Sequence, residues 1–487
     1  MPINGFLYPG AKVVKPYNVA NSCMFDDGSG DNLSASSFGT PTSATTYTLS
    51  WWVKKASNGE NSYLFGWYDG SRSNSGDILF DSNDKLAMYH GANDNNGKLL
   101  QPTQTFSDTT GWYHMVWAVD TTQGTASNRV KFYVNGTQVT DFSTAVYPDQ
   151  NAESKIFHDT NNRIGSQWNG TTSTALNGYL AEVVFIDGQA LTPTSFGEFD
   201  NDSPTIWKPK DVSGLTFGNN GFYLDFEDSS ALGNDVSGNN NDFTANNLAA
   251  VNQSTDTCTN NFAVLNSLNV PTSNAPIFSE GNLRTVTMNS DPGYFGGTST
   301  IGVSQGKWYA EFKCVSSAAT TGTSGSGAAF MFGITFDPAE KARQGTSFSA
   351  QISDSFVYAI NGKQYSSATG TGGAAYGDTF TSDDIIGVAA DFDNSKLYFS
   401  KNGTFQNSGD PTSGSTGTGA ISITAGETYF FYVSDAGGSK TTNDCNFGSP
   451  NFSISSGNAD ANGHGNFEYS VPSGYFALCS KNLAEFG

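Results

Sequence analysis

Short runs of alternating apolar and polar residues, broken every few positions by Asn, Asp, Gly or Ser, set the strongest limit on what this chain can fold into. "RVKFYVNGTQV" (Arg129 to Val139) is the clearest of them. Asn135-Gly136 stands between two such runs, and these two residues tolerate the positive φ that a two-residue hairpin turn requires. "YTLSWWVKK", "GDILFD", "KLAMYHG", "GWYHMVWAVD" and "GYLAEVVFIDGQAL" repeat the pattern between residues 47 and 191. Period-two alternation puts one face of each run into a core and the other outside, which predicts a series of half-buried strands. "LTPTSFGEFD" interrupts the series as one brief helix, with Thr192 at the N-cap and Pro193 at the first position.

"DIIGVAADFDNSKLYFSKNG" (Asp384 to Gly403) poses a choice between a metal loop and a turn. A twelve-residue calcium loop begun at Asp391 would place Lys396 where the loop needs Gly and Asn402 where it needs a bidentate Glu. The hairpin reading fits instead, because Ile386, Val388 and Ala390 alternate before the acidic stretch and Leu397 and Phe399 after it.

Composition agrees with strands. The 487 residues include 36 Phe, 21 Tyr, 8 Trp and 55 Gly with only 14% charged residues, a balance that favours aromatic-rich strands and turns over long surface helices. The expected fold class is all-β, with two or three domains. A net charge of -22 repels nucleic acid and anionic membranes, and suits a soluble particle in salty water. Five widely spaced cysteines (Cys23, Cys258, Cys314, Cys445, Cys479) contain no C-x-x-C pair and are expected as small buried residues. The opening "MPINGFLYPGAKVVKPYN" lacks a basic region followed by an apolar run, and no stretch has membrane-spanning length, so synthesis in a cytoplasm and another route outward are expected.

Catalytic patterns are sparse. Glycan hydrolysis needs carboxylates at alternate strand positions, one to protonate the leaving oxygen and one to attack or activate water. Glu198, Asp200 and Asp202 approach that spacing but fall in or after the brief helix, and Asp225, Glu227 and Asp228 open a connector rather than a central strand. His114, in "WYHMVW", is expected to be packed rather than basic, and neither a G-x-S-x-G elbow nor a phosphate-binding loop is present. Binding chemistry is better represented: sugars need aromatic faces beside Asn, Asp and backbone groups. "LFGWYDGSRSNSGD", "YHGANDNNGK" and "IGSQWNGTTS" supply both, which makes Trp67, Tyr68, Asp69, Asn93, Asp94, Asn95 and Trp168 the candidate glycan contacts. The same loops also read as ordinary sandwich-end loops with stray aromatics.

Two ordered motif series carry a resemblance. "FDDGSGDNLS", "TLSWWVK", "GWYHMVW", "FYVNG" and "GYLAEVVFIDGQAL" resemble a laminin-G/concanavalin-A-like jelly roll over about residues 20 to 205. "GKWYAEF", "FGITF", the Asp384 to Gly403 stretch, "NFG" and "PSGYFAL" resemble a SPRY domain over about 300 to 487. The resemblance implies two concanavalin-A-like antiparallel β-sandwiches joined by an Asn/Asp/Gly-rich bridge: an arm at 1–20, a first sandwich at 21–205, the bridge at 206–265 and a second sandwich at 266–487. It leaves a structural calcium open, though no spacing here fixes one. The repeats "SSAATTGTSGSGAA" and "NSGDPTSGSTGTGA" in the second sandwich are expected to be mobile, solvent-facing loops.

The bridge "DFEDSSALGNDVSGNNNDFT", followed by "TNNFAVLNSL", resembles structural proteins of tailed bacteriophages, particularly of marine hosts. That resemblance implies a non-enzymatic virion component, made in the host cytoplasm and released by lysis. Its expected partners are other virion proteins through the arm, further copies of itself on the particle, and host surface glycans. A fibre, spike or appendage that adheres to those glycans is the leading expectation. A capsid or tail decoration protein is the alternative, and a glycan-degrading enzyme a third.

Overall fold

The computed structural model describes residues 16–36, 38–68, 75–90, 98–158, 161–167, 175–270, 276–287, 295–317, 330–341, 347–435 and 441–487. Among them, two large antiparallel sheets form the first sandwich. One runs in hydrogen-bonded order Thr137–Val139, Val130–Val134, Tyr113–Asp120, Thr46–Lys55, Gly178–Asp187, Ser22–Phe25 and Gln253–Ser254. The facing sheet runs Phe142–Ala145, Lys98–Pro102, Leu86–His90, Gly76–Phe80, Ser62–Tyr68, Asn161–Ile164, Asn32–Ala35 and Thr244–Asn246. Asn135 and Gly136 close their hairpin at φ 45° and 79°, as the sequence predicts.

The core between these sheets is aromatic: Trp51, Phe65, Trp67, Phe80, Trp117, Phe132 and Phe157 are all buried in one cluster. Trp51 and Phe65, one from each sheet, meet edge to face at 5.1 Å, a geometry that aromatic quadrupoles favour.

The second sandwich repeats the plan. One sheet runs Ile277–Ser279, Arg284–Val286, Thr441–Asn446, Lys307–Ser317, Ile385–Asp391, Lys396–Lys401 and Thr404–Phe405. The other runs Phe295–Val303, Tyr429–Asp435, Phe330–Thr335, Ser355–Ala359, Lys363–Ser366 and Ala374–Ala375. The Asp384 to Gly403 stretch is a strand pair in full register, with Asp391 opposite Lys396. Asp391 is wholly buried and engaged at the turn: it accepts from Asn394 N at 3.0 Å and Asn394 Nδ2 at 2.8 Å, and pairs with Lys307 at 3.0 Å.

Three sequence expectations are corrected. The bridge, expected as an irregular connector with one strand at Phe222 to Phe226, carries that strand at Phe222–Leu224 but is more than a connector, because Thr244–Asn246 and Gln253–Ser254 pair with strands of the first sandwich as well. Its Asn and Asp side chains tie it down. Asp235 accepts from Tyr223 N, Ser237 N and Asn241 N, so turn chemistry that reads as irregular in sequence builds a fixed structure. The expected brief helix is a single 3-10 turn, Pro193–Ser195, followed by a hairpin of Gly197–Phe199 with Trp207–Pro209. The repeat at 407–420, expected to be mobile, is laced internally: Asn407 Nδ2 donates to Gly419 O, Asp410 N to Thr418 O and Thr418 N to Ser413 Oγ. Most of the other repeat lies outside the described residues.

The sandwiches meet at a buried ion pair. Lys54, at the end of a first-sandwich strand, places Nζ 2.6 Å from Asp256 and 2.7 Å from Asn261 Oδ1, and also donates to Phe262 O at 3.2 Å. Asp256 accepts in addition from Trp112 Nε1 and from Phe262 N. Around the pair, Asn282 Nδ2 donates to Ala56 O, Tyr179 to Gly281 O, and Ser254 and Ser449 share a hydroxyl contact at 2.7 Å. Removing one member of a buried pair leaves the other charge without a partner, which costs about 3–5 kcal/mol. Lys54→Met is therefore expected to lower stability by that amount in urea titrations and to split a single calorimetric unfolding transition into two.

Candidate functional site

The outer face of the sheet containing Ser62–Tyr68 follows from strand parity. Leu64, Phe65 and Trp67 belong to the core cluster, as do Ile78, Phe80, Leu86, Met88 and Ile164. Residues of the opposite parity, Asn32, Ser34, Tyr63, Asp77, Tyr89 and Arg163, line the other side. Register sets four of them in a row: Gly66 is opposite Asp77 on one side and Arg163 on the other, Asp77 is opposite Tyr89, and Arg163 is opposite Ser34, whereas Tyr63 is opposite Leu79. Tyr63, Tyr68, Tyr89 and Arg163 are only half-buried. Arg163 Nη1 donates to Asn32 Oδ1 at 2.6 Å, while its Nε lacks a partner. Burial raises the Tyr63 phenol to about 12, and the nearby Asp77 carboxylate adds to the shift. Asp77 and Asn32 on this face are buried, which leaves the half-buried Tyr63, Tyr68, Tyr89 and Arg163 as the groups able to stack on the apolar side of a sugar and to bond its hydroxyls.

The structure treats the sequence-predicted contacts unequally. Trp67 is a correction: its ring is 1% exposed and packs over Gly76 inside the sandwich, so neither face is open for stacking. Tyr68 stands at the strand end, half-buried. Asp69, Asn93, Asp94, Asn95 and Trp168 lie outside the described residues. Their flanking strand ends are informative. Tyr68 and His90 end parallel strands at the same edge, whereas Ile164 is opposite Phe65 and runs toward Tyr63, whose hydroxyl accepts from Gln167 Nε2. Gln167 therefore lies at the other edge, about 17 Å away along five strand residues. Tyr63 and Arg163 lie outside the loop motifs that pair aromatics with Asn and Asp, and Asp77 and Tyr89 stand at the ends of two of them, so composition alone does not single these residues out. The available signal was parity, since each is a polar or half-polar residue at an outward strand position.

The other chemical candidates are engaged in structure. Glu198 and Asp200 both face Lys208, at 3.5 and 3.2 Å, and Asp200 Oδ1 caps the backbone of Asp202 and Ser203. His114 is buried between Trp52 and Trp207, with ring centroids 4.7 and 5.9 Å away. Trp207 Nε1 donates to its Nδ1 at 2.9 Å, which assigns the proton to Nε2 and makes the imidazole a donor to Ser50 Oγ. An imidazole that donates to a hydroxyl does not act as its base. Glu182 sits at a β-bulge with φ 49°, accepts from Tyr17 and Tyr223, and is pushed up to about 7 by burial. Those contacts dock residues 16–20, while the rest of the expected arm lies outside the described residues. Among the described residues no three His, Cys, Asp or Glu side chains stand close enough to hold a metal ion.

Fold and site together define a protein of two concanavalin-like antiparallel sandwiches. Residues 27–195 match the laminin-G family model described as the concanavalin A-like lectin/glucanases superfamily, and residues 311–424 match the SPRY domain. The chain thus carries a laminin-G-type domain followed by a SPRY domain. No curated protein matches it in sequence. Among solved structures it is similar to the SPRY domain of human HERC1, at 15% identity over 35% of this chain and 91% of that one, TM-score 0.25. It is also similar to a Bacteroides ovatus ATCC 8483 protein named for carbohydrate binding, at 16% identity over 48% of this chain and 59% of that one, TM-score 0.32. A third is the heptameric SAP-like pentraxin of Limulus polyphemus, at 15% identity, 36% and 80% coverage and TM-score 0.26.

Burial holds the His114 imidazole down at about 3, so the folded protein keeps it neutral while the unfolded chain takes up a proton below about 6.5. Its contribution to stability is whole above pH 6.5 and is lost as pH falls toward 3. His114→Gln is expected to flatten that part of a plot of urea midpoint against pH.

Proposed function

We propose that this protein is a non-catalytic glycan-binding component displayed on the outside of a tailed-bacteriophage particle, where it adheres to host surface glycans. The observation that carries the binding reading is the outer sheet face of the first sandwich, on which Tyr89, Asp77 and Arg163 stand in one row across Gly66 and Tyr63, opposite Leu79, lies further along the same strand as Gly66. The family that residues 27–195 match is described by lectins and glucanases, and binding is the half of that description the side chains support. The carboxylates nearest a hydrolytic pattern, Glu198 and Asp200, face a lysine on an edge hairpin. The virion reading rests on the sequence of the bridge, and display outside the cell would follow from lysis.

The test has two parts. On immobilised host surface glycans, Tyr63→Ala and Arg163→Ala are each expected to weaken binding about tenfold, about 1.4 kcal/mol. Their unfolding midpoints should stay close to the parent's, because both residues are half-buried on an outer face. Gold-labelled antibody on intact particles locates the chain: label at tail or fibre tips supports adhesion, and label spread over the head supports decoration. No label on any particle overturns the virion reading.

A further inference from the structure

A cleft of about 270 Å³ opens where the two sandwiches meet, lined by both. The first sandwich contributes Asn21, Ser229, Val251 and Gln253, and the second contributes Phe452, Ser453, Ile454 and Asn466. Ser449 lies at the seam, where its hydroxyl touches Ser254 Oγ at 2.7 Å and the backbone N of Asp256 at 3.3 Å. The cleft therefore exists only while the Lys54–Asp256 junction is made.

Its lining is chemically selective. Among the described residues no charged side chain lines it. Gln253 Nε2 is spent on Phe226 O and Glu227 O, and Asn21 Nδ2 on Ser254 O, which leaves the amide oxygens of both as acceptors. Among the described residues the hydroxyls of Ser229 and Ser453 and the side-chain amide of Asn466 have no protein partner. Beside these polar groups stand Val251, Pro450, Phe452 and Ile454. A charged ligand would enter without a counter-ion, and a purely apolar one would strand the amides and hydroxyls. An uncharged polyol satisfies both halves, with its hydroxyls on Asn466, Gln253 and the serines and its C–H face on the apolar side chains. The volume falls just below the range of pockets that enclose drug-sized molecules, about 300–1,000 Å³, and suits a single sugar ring.

We propose that this interdomain cleft is a second binding site, specific for one uncharged saccharide unit. It is separate from the outer sheet face and does not rest on that site. The test uses methyl glycosides of glucose, galactose, mannose and N-acetylglucosamine, titrated against the full chain by calorimetry and by saturation-transfer NMR. At least one is expected to bind, with Ser453→Trp and Asn466→Ala each weakening it tenfold or more. Ser453 is exposed, so the added indole fills the cleft without entering a core. Binding that Tyr63→Ala abolishes and Ser453→Trp leaves intact overturns the cleft and supports the sheet face. Absence of binding by all four glycosides also overturns the cleft, and leaves the sheet face to be judged on the longer host glycans.

Discussion

The buried Lys54–Asp256 pair is the interaction on which the arrangement of the whole chain depends. Taking an ammonium and a carboxylate out of water is unfavourable unless every remaining donor and acceptor is satisfied. Here the ammonium's three N–H groups meet Asp256, Asn261 and Phe262, while the carboxylate also receives Trp112 and Phe262 N. Those partners come from the first sandwich and from the segment that enters the second. The pair is thus satisfied only when the two bodies are docked, which converts an electrostatic requirement into a fixed relative placement. Hydrophobic contact alone would allow sliding at such a seam; a saturated hydrogen-bond shell does not.

Docking in turn explains why the expected bridge is structure. Gln253–Ser254 extends the first sandwich's sheet at Ser22–Phe25, and Asp256 follows two residues later. The sheet edge delivers the carboxylate to the lysine. A free connector would leave Asp256 to find Lys54 at the entropic cost of closing a loop, whereas a strand carries it there within the fold. The Asn and Asp residues that make this segment look irregular are the side chains that hold its turns, since Asx contacts replace ladder hydrogen bonds.

Strands were legible in the sequence because period two is a local signal, and a turn such as Asn135-Gly136 announces its own geometry. The site was less legible. Trp67 and Tyr68 are neighbours in sequence, yet parity sends the first into the core and leaves the second at the surface. Sequence alone fixes that two neighbours face opposite ways, but a bulge decides which way: Ser62–Tyr68 shifts register between Tyr63 and Phe65, so Leu64 and Phe65 are both buried. The interdomain cleft had no sequence signal at all, because Gln253 and Asn466 are brought together by docking and neither stands out in composition.

The chain's charge bears on what these surfaces can select. Several of its cations are committed to carboxylates: Lys54 to Asp256, Lys55 to Asp84, Arg284 to Asp444 and Lys307 to Asp391. Against a net charge of -22, an anionic ligand meets repulsion that the remaining cations do not offset. A neutral polyol meets none, and amide and hydroxyl contacts are insensitive to the ionic screening that weakens charged recognition in salt. In the proposed reading, recognition through tyrosine rings, amides and hydroxyls would leave both solubility and affinity little changed by salt. Arg163 is consistent with that reading because Asn32 already holds one arm of its guanidinium, which fixes its position near the tyrosines.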